Sequence, residues 1–246
     1  MNPPIPDAQI SETLTGKAPG AAVLQSLFIA GPAGRLEALL NAGADDAPYS
    51  VLICHPHPPS GGTMHNKIVY QAMKAFNGMG LPVLRFNFRG TGLSQGIHDE
   101  GRGEVQDVHA ALEWLDKTFG VPVLFAGFSF GANVGLRACC GDARVKGIVA
   151  LGVPLHAAGR SYTYNFLPGC KQPKLFISGT RDEFATVEKV QELAASTSNT
   201  ELVLIPEADH FFLGRLDQVR SAISEWLATQ FLSGSQTMRK EVSSAG

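Results

Sequence analysis

The sequence predicts an α/β fold: a mostly parallel sheet of about eight strands, with helices on both faces. Three observations predict it. Short apolar runs without period-2 patterning recur along the chain, namely VLIC, LPVLRFNF, VPVLFAGF, VKGIVALGV, KLFISG and ELVLIP. Strands covered on both faces read this way, as in a parallel sheet. Helical segments separate most of these runs: Val105, Val108, Leu112 and Leu115, and then Leu216, Val219, Ile223 and Trp226, recur at three- and four-residue steps. Ahead of them, residues 22–30 and 35–41 flank GPAG and predict a hairpin with a Gly/Pro turn. A hairpin followed by βα units closes into one sheet with right-handed crossovers.

No internal repeat and no second core interrupt this order, so one domain is expected over residues 21–232. Residues 1–20, rich in Pro, Gly and Thr, and the small polar stretch 233–246 are expected to be loosely ordered. Hydrophobic residues make up 44% of the 246 and charged residues 17%, enough apolar chain for a substantial core. A net charge of −2 without a Lys/Arg run argues against a nucleic-acid footprint. The first residues lack the pattern of a signal peptide, and no apolar stretch reaches the roughly 18 residues of a membrane span. The four cysteines, Cys54, Cys139, Cys140 and Cys170, lack CxxC spacing and are read as reduced, small apolar residues. A cytoplasmic location is expected on that basis.

The chemistry concentrates where the third of these apolar runs ends. Gly127, Ser129 and Gly131 form G-x-S-x-G at a strand-to-helix junction. A sharp bend there forces the middle residue into strained dihedrals and crowds the backbone on either side, so glycine fits both flanking positions. The Ser129 hydroxyl then projects from the carboxyl edge of the sheet at a helix N-terminus, which favours negative charge. A hydroxyl needs a histidine to take its proton and a carboxylate to orient that histidine. On such a sheet the acid follows the serine and the histidine comes last. His156 and His210 are the histidines after Ser129, and His210, in IPEADHFF beyond the last strand, is the expected base. Asp182, at the end of the preceding strand in ISGTRDEF, is the expected acid, with Glu183 its close rival and Glu207 and Asp209 further alternatives.

The segment HPHPP, residues 55–59, leaves the first parallel strand. Proline has no N–H, so His57 is the available backbone donor between Pro56 and Ser60. With the N–H of Phe130, it is expected to form an oxyanion hole. A zinc site on His55 and His57 is disfavoured because no third ligand at suitable spacing accompanies them, HDE at 98–100 being the remaining cluster. The glycine-rich loop NFRGTGLSQG, residues 87–96, is expected to shape the pocket wall, and Glu104 and Asp107 to serve a helix dipole. Tyr162, Tyr164 and Phe166 in a short cap segment, with Phe211 and Phe212, suggest a modest apolar pocket.

From residue 21 to 232 the chain resembles the α/β-hydrolase superfamily. More narrowly it is similar to a group of small bacterial serine hydrolases, through HPHP at 55–58, GGTM at 61–64, RFNFRGTG at 85–92 and GEVQD at 103–107. The resemblance implies an α/β-hydrolase fold with Ser129, Asp182 and His210 as a triad. Serine at position 129 argues against dienelactone hydrolase activity, which uses cysteine, and against haloalkane dehalogenation, which uses aspartate. The expected activity is cofactor-free hydrolysis of small or short-acyl carboxylic esters. A thioesterase or small peptidase with the same triad, or a silent ligand-binding protein of this fold, is the alternative. Neither nucleic acid nor membrane is an expected partner; a homodimer is compatible with the sequence but not required by it.

Overall fold

The computed structural model describes residues 23–157 and 159–232. The termini expected to be loosely ordered lie outside the described residues. β1 (Leu24–Gly31) and β2 (Gly34–Asn41) pair antiparallel in register across the two-residue turn Pro32-Ala33. The remaining strands of the main sheet are β3 (Ser50–Cys54), β4 (Val83–Phe86), β5 (Val123–Phe128), β6 (Val145–Leu151), β9 (Lys174–Gly179) and β10 (Thr200–Ile205). Their spatial order is β1-β2-β4-β3-β5-β6-β9-β10, eight strands as the sequence predicts. β2 runs against its neighbours and every pairing from β4 onward is parallel.

The unpatterned apolar runs are explained by coverage on both faces. Within β3, Leu52 and Cys54 point into one core and Val51 and Ile53 into the other. The first core is closed by α2 (Arg102–Phe119) and α3 (Phe130–Cys139), through Val108, Leu112, Leu115, Val134 and Leu136. The second is closed by α1 (Lys67–Gly78) and α5 (Leu216–Gln230), through Ile68, Met73, Phe76, Val219, Ile223 and Trp226. α4 (Val187–Ala195) packs beside β9 and β10. A small ribbon, β7 (His156–Ala157) with β8 (Arg160–Ser161), follows β6 and sits apart from the main sheet.

Three sequence expectations change here. Cys140 and Cys170 are joined in a disulfide with Cα atoms 4.9 Å apart, while Cys54 and Cys139 are free and buried. Spacing could not show the pair, since thirty residues separate partners that meet only when the cap segment returns to the end of α3. The cytoplasmic expectation loses the reduced-thiol reasoning it was built on. No helix among the described residues is long and apolar enough to cross a membrane.

Second, Asp107 does more than serve a helix dipole. It is fully buried and accepts hydrogen bonds from the backbone N–H and the guanidinium of Arg89. Glu104 likewise accepts from the N–H groups of Asp99 and Gly101, fastening the turn that enters α2. Third, the loop NFRGTGLSQG, residues 87–96, does not line the cavity over Ser129; with Arg85 before it, it serves as scaffold. Arg85 donates to Met64 O and Asn41 Oδ1, and Asn87 bridges the Met64 N–H and Glu37. Arg85, Asn87 and Arg89 in turn tie this segment to Met64, to β2 and to α2.

Candidate active site

Parallel strands share one carboxyl edge, so the loops after β3, β5, β9 and β10 converge there. They carry HPHPP, Ser129, Asp182 and His210. Ser129 stands at the junction of β5 and α3 with φ 55 and ψ −119, a conformation an L-residue holds only when its surroundings impose it. A Cβ added at Gly127 would lie 2.5 Å from the Gly131 carbonyl oxygen, and one at Gly131 would press on the carbonyls of Cys54 and His55. The bend therefore needs both glycines.

His210 Nε2 lies 2.9 Å from Ser129 Oγ. On the other side of the ring, Nδ1 lies 2.9 and 3.0 Å from the two carboxylate oxygens of Asp182. A carboxylate accepts, so Nδ1 carries the proton and the Nε2 lone pair faces the serine hydroxyl. The imidazole is 2% exposed and packs among Phe128, Phe184 and Phe211, with ring centroids 5.1, 4.5 and 5.3 Å away. Close approach on its remaining side requires Gly152, where a Cβ would come within 3.1 Å of Cε1. Asp182 is itself held by the Phe184 N–H at 2.8 Å. Its rival Glu183 turns instead to the His210 backbone N–H at 3.3 Å, and Asp209 accepts from the Leu213 N–H.

The two histidines of HPHPP have separate roles. His55 is fully buried; its Nδ1 donates to Pro56 O at 2.7 Å and its Nε2 accepts from the Phe88 N–H at 3.0 Å. Both ring nitrogens are committed, so His55 is unsuited to metal ligation and instead ties the loop after β3 to the loop after β4. Burial lowers its pKa from 6.5 to about 4. Below pH 6.5 the unfolded chain binds a proton that the native chain refuses until about pH 4. Stability is complete above that window and falls as pH drops through it, by about 3 kcal/mol in all. Urea midpoints at pH 7 and pH 4.5 are expected to differ more in the wild type than in His55→Asn; equal slopes would show that this ring is not the source.

His57 lies at the mouth of the site, before the short turn Pro58–Ser60. Among the described residues, no loop or turn carbonyl accepts from the N–H of His57 or of Phe130. Its imidazole accepts from Arg160 and meets Ser60 Oγ at 2.8 Å. Burial first, and then the charge of Arg160 and His98, pull its pKa down to about 4. The ring is neutral at pH 7.

A cavity of about 160 Å³ opens over Ser129. Tyr162 and Phe211 line it, as the sequence suggested. Tyr164 and Phe166 do not: the Tyr164 hydroxyl donates to Pro154 O, its ring lies against Phe166, and both pack into the core beneath the cap. Phe212 is fully buried in the opposite core. Asn66, Arg160 and Phe184 also line the cavity and were not anticipated. Phe184 lies two residues beyond Asp182, which was a usable signal; Arg160 had none, since the β7–β8 ribbon folds back over a loop 103 residues earlier.

Residues 49–229 match a family described as an alpha/beta hydrolase domain. The protein RP471 of Rickettsia prowazekii (strain Madrid E) is 34% identical over 215 residues, 84% of this chain and 90% of its own. Among solved structures, an alpha-beta serine hydrolase homologue from Coxiella burnetii is 35% identical with TM-score 0.77, covering 83% of this chain and 97% of that one. XC6422 from Xanthomonas campestris, described as an a/b serine hydrolase without lid, is 33% identical with TM-score 0.74, covering 83% and 93%.

Proposed function

This chain belongs to the alpha/beta hydrolase family, and on that premise we propose that it cleaves short-acyl carboxylic esters through an acyl-serine intermediate. The observation that carries this reading is the single imidazole set between Ser129 Oγ and the Asp182 carboxylate, both within 3.0 Å. His210 Nε2 takes the hydroxyl proton as Oγ attacks the ester carbon. Negative charge develops on the carbonyl oxygen, where the N–H groups of His57 and Phe130 and the N-terminus of α3 receive it. The imidazolium then protonates the departing alcohol. A water enters, gives its proton to His210, and the acid leaves as Ser129 is regenerated.

The cavity restricts what can react. Its size, with Phe184 and Phe211 on its walls, suits a short acyl group or a small ring better than a long chain. XC6422 is described as lacking a lid, and here the β7–β8 ribbon brings Ala157 and Arg160 to the cavity that holds Ser129. A fluorophosphonate probe is expected to label the protein once, at Ser129, and to abolish turnover of p-nitrophenyl acetate. An unlabelled Ser129 in folded protein would overturn the reading. Ester turnover slower than thioester turnover on one preparation would move the substrate class to thioesters.

A further inference from the structure

Behind His57, a second cleft of about 580 Å³ continues from the cavity over Ser129; the two share His57, Arg160 and Tyr162. Its polar wall carries Arg160, Arg137 and Asn133, with Glu100 at the exposed rim. Two of these groups are guanidinium cations without a counter-charge. Arg160 meets the His57 ring and the Tyr162 hydroxyl, and no carboxylate among the described residues lies within ion-pair distance of it or of Arg137. Asn133, 5% exposed, has its amide against the Tyr164 hydroxyl. Arg137 donates from one nitrogen to Gly101 O.

Two cations lining one cleft with no carboxylate against either point to an anion that arrives from outside. The Arg160 guanidinium rests instead against a neutral imidazole, a weak partner for a full charge. A planar fork suits a carboxylate or phosphate bound through two oxygens.

We propose that this cleft holds the anionic end of the substrate: the ester cleaved at Ser129 also carries an ionised carboxylate or phosphate, bound by Arg160 with Arg137. The proposal rests on the ester-hydrolase reading of Ser129 and adds the substrate's charge to it. Arg160 is then a specificity-determining residue. His57 stands between the two spaces, so the distance from anion to scissile carbonyl is set by the loop that also offers an oxyanion donor.

The test compares kcat/KM for matched esters with and without the charge, in two arms. One places it on the acyl side, mono-p-nitrophenyl glutarate against p-nitrophenyl valerate. The other places it on the leaving group, 4-carboxyphenyl or 4-phosphonooxyphenyl acetate against phenyl acetate. In wild type the charged member of one arm is expected to be favoured roughly ten- to hundred-fold. Arg160→Met is expected to remove that ratio and Arg160→Lys to restore part of it. A role limited to propping His57 would lower both members alike and leave the ratio unchanged, which would overturn the proposal. So would equal rates for charged and neutral esters in both arms of an enzyme that labels at Ser129, a result that leaves the hydrolase reading standing. Calorimetric binding of glutarate, and of inorganic phosphate, gives a readout independent of turnover: binding by wild type and not by Arg160→Met supports the site, and binding by neither excludes it.

Discussion

Replacing Ser129 with alanine is expected to lower kcat for a short-acyl ester by about 10⁶-fold, leaving a residue of rate that comes from binding and the oxyanion donors alone. The size of the effect follows from the geometry. The side chain lost is the atom that forms the covalent intermediate, and no other hydroxyl of the cavity has the same base: Ser60 Oγ sits against His57, not His210. The fold is expected to survive, because alanine keeps the Cβ and the strained backbone is imposed by Gly127, Gly131 and the Ser129 N–H bond to Leu151 O. Circular dichroism and urea midpoints close to wild type, together with loss of phosphonate labelling, are the controls. Activity within ten-fold of wild type in a folded Ser129→Ala protein would remove the nucleophile assignment and the acyl-enzyme with it.

How far each residue could be read from the sequence depends on how local its constraint is. Ser129 was legible because the bend that exposes it is a matter of five consecutive residues, and its steric demand leaves two glycines in the chain. Asp182 and His210 were legible through position, since each lies in the loop after a strand whose order in the sheet follows from an α/β alternation. The inner parallel strands of the sheet were readable for the same reason: they announce themselves by apolar runs covered on both sides.

What escaped was set by contacts between distant segments. Arg160 reaches His57 across 103 residues of chain, from a two-residue strand too short to show a period. Tyr164 and Phe166 illustrate the converse error: aromatic composition identifies residues that seek burial, but both cavity wall and core satisfy that preference. Asp107 looked like a dipole residue because it lies near a helix start, and only the folded loop after β4 brings Arg89 onto it. The Cys140–Cys170 pair is of this kind too, a contact made by the return of the cap segment.

Changing Asp182 to asparagine is expected to lower kcat by about 10⁴-fold while leaving the protein folded and KM little changed. The carboxylate can only accept from the imidazole, so it fixes the proton on His210 Nδ1 and leaves Nε2 bare toward Ser129 Oγ. An asparagine amide can present N–H to Nδ1 instead, and the ring then carries its proton on Nε2, where no base faces the serine. The imidazolium formed during attack also loses the negative charge beside it. Glu183 supplies the control from the adjacent position: it accepts from the His210 backbone N–H, so Glu183→Gln can disturb the loop but not the tautomer, and its effect on kcat is expected to be small beside that of Asp182→Asn. Proton NMR adds a direct readout, a strongly downfield imidazole Nδ1–H resonance in the wild type that is lost in Asp182→Asn and retained in Glu183→Gln. The reverse ranking in both rate and resonance would make Glu183 the orienting acid. In that event the short Asp182 contact would serve only to seat the loop after β9.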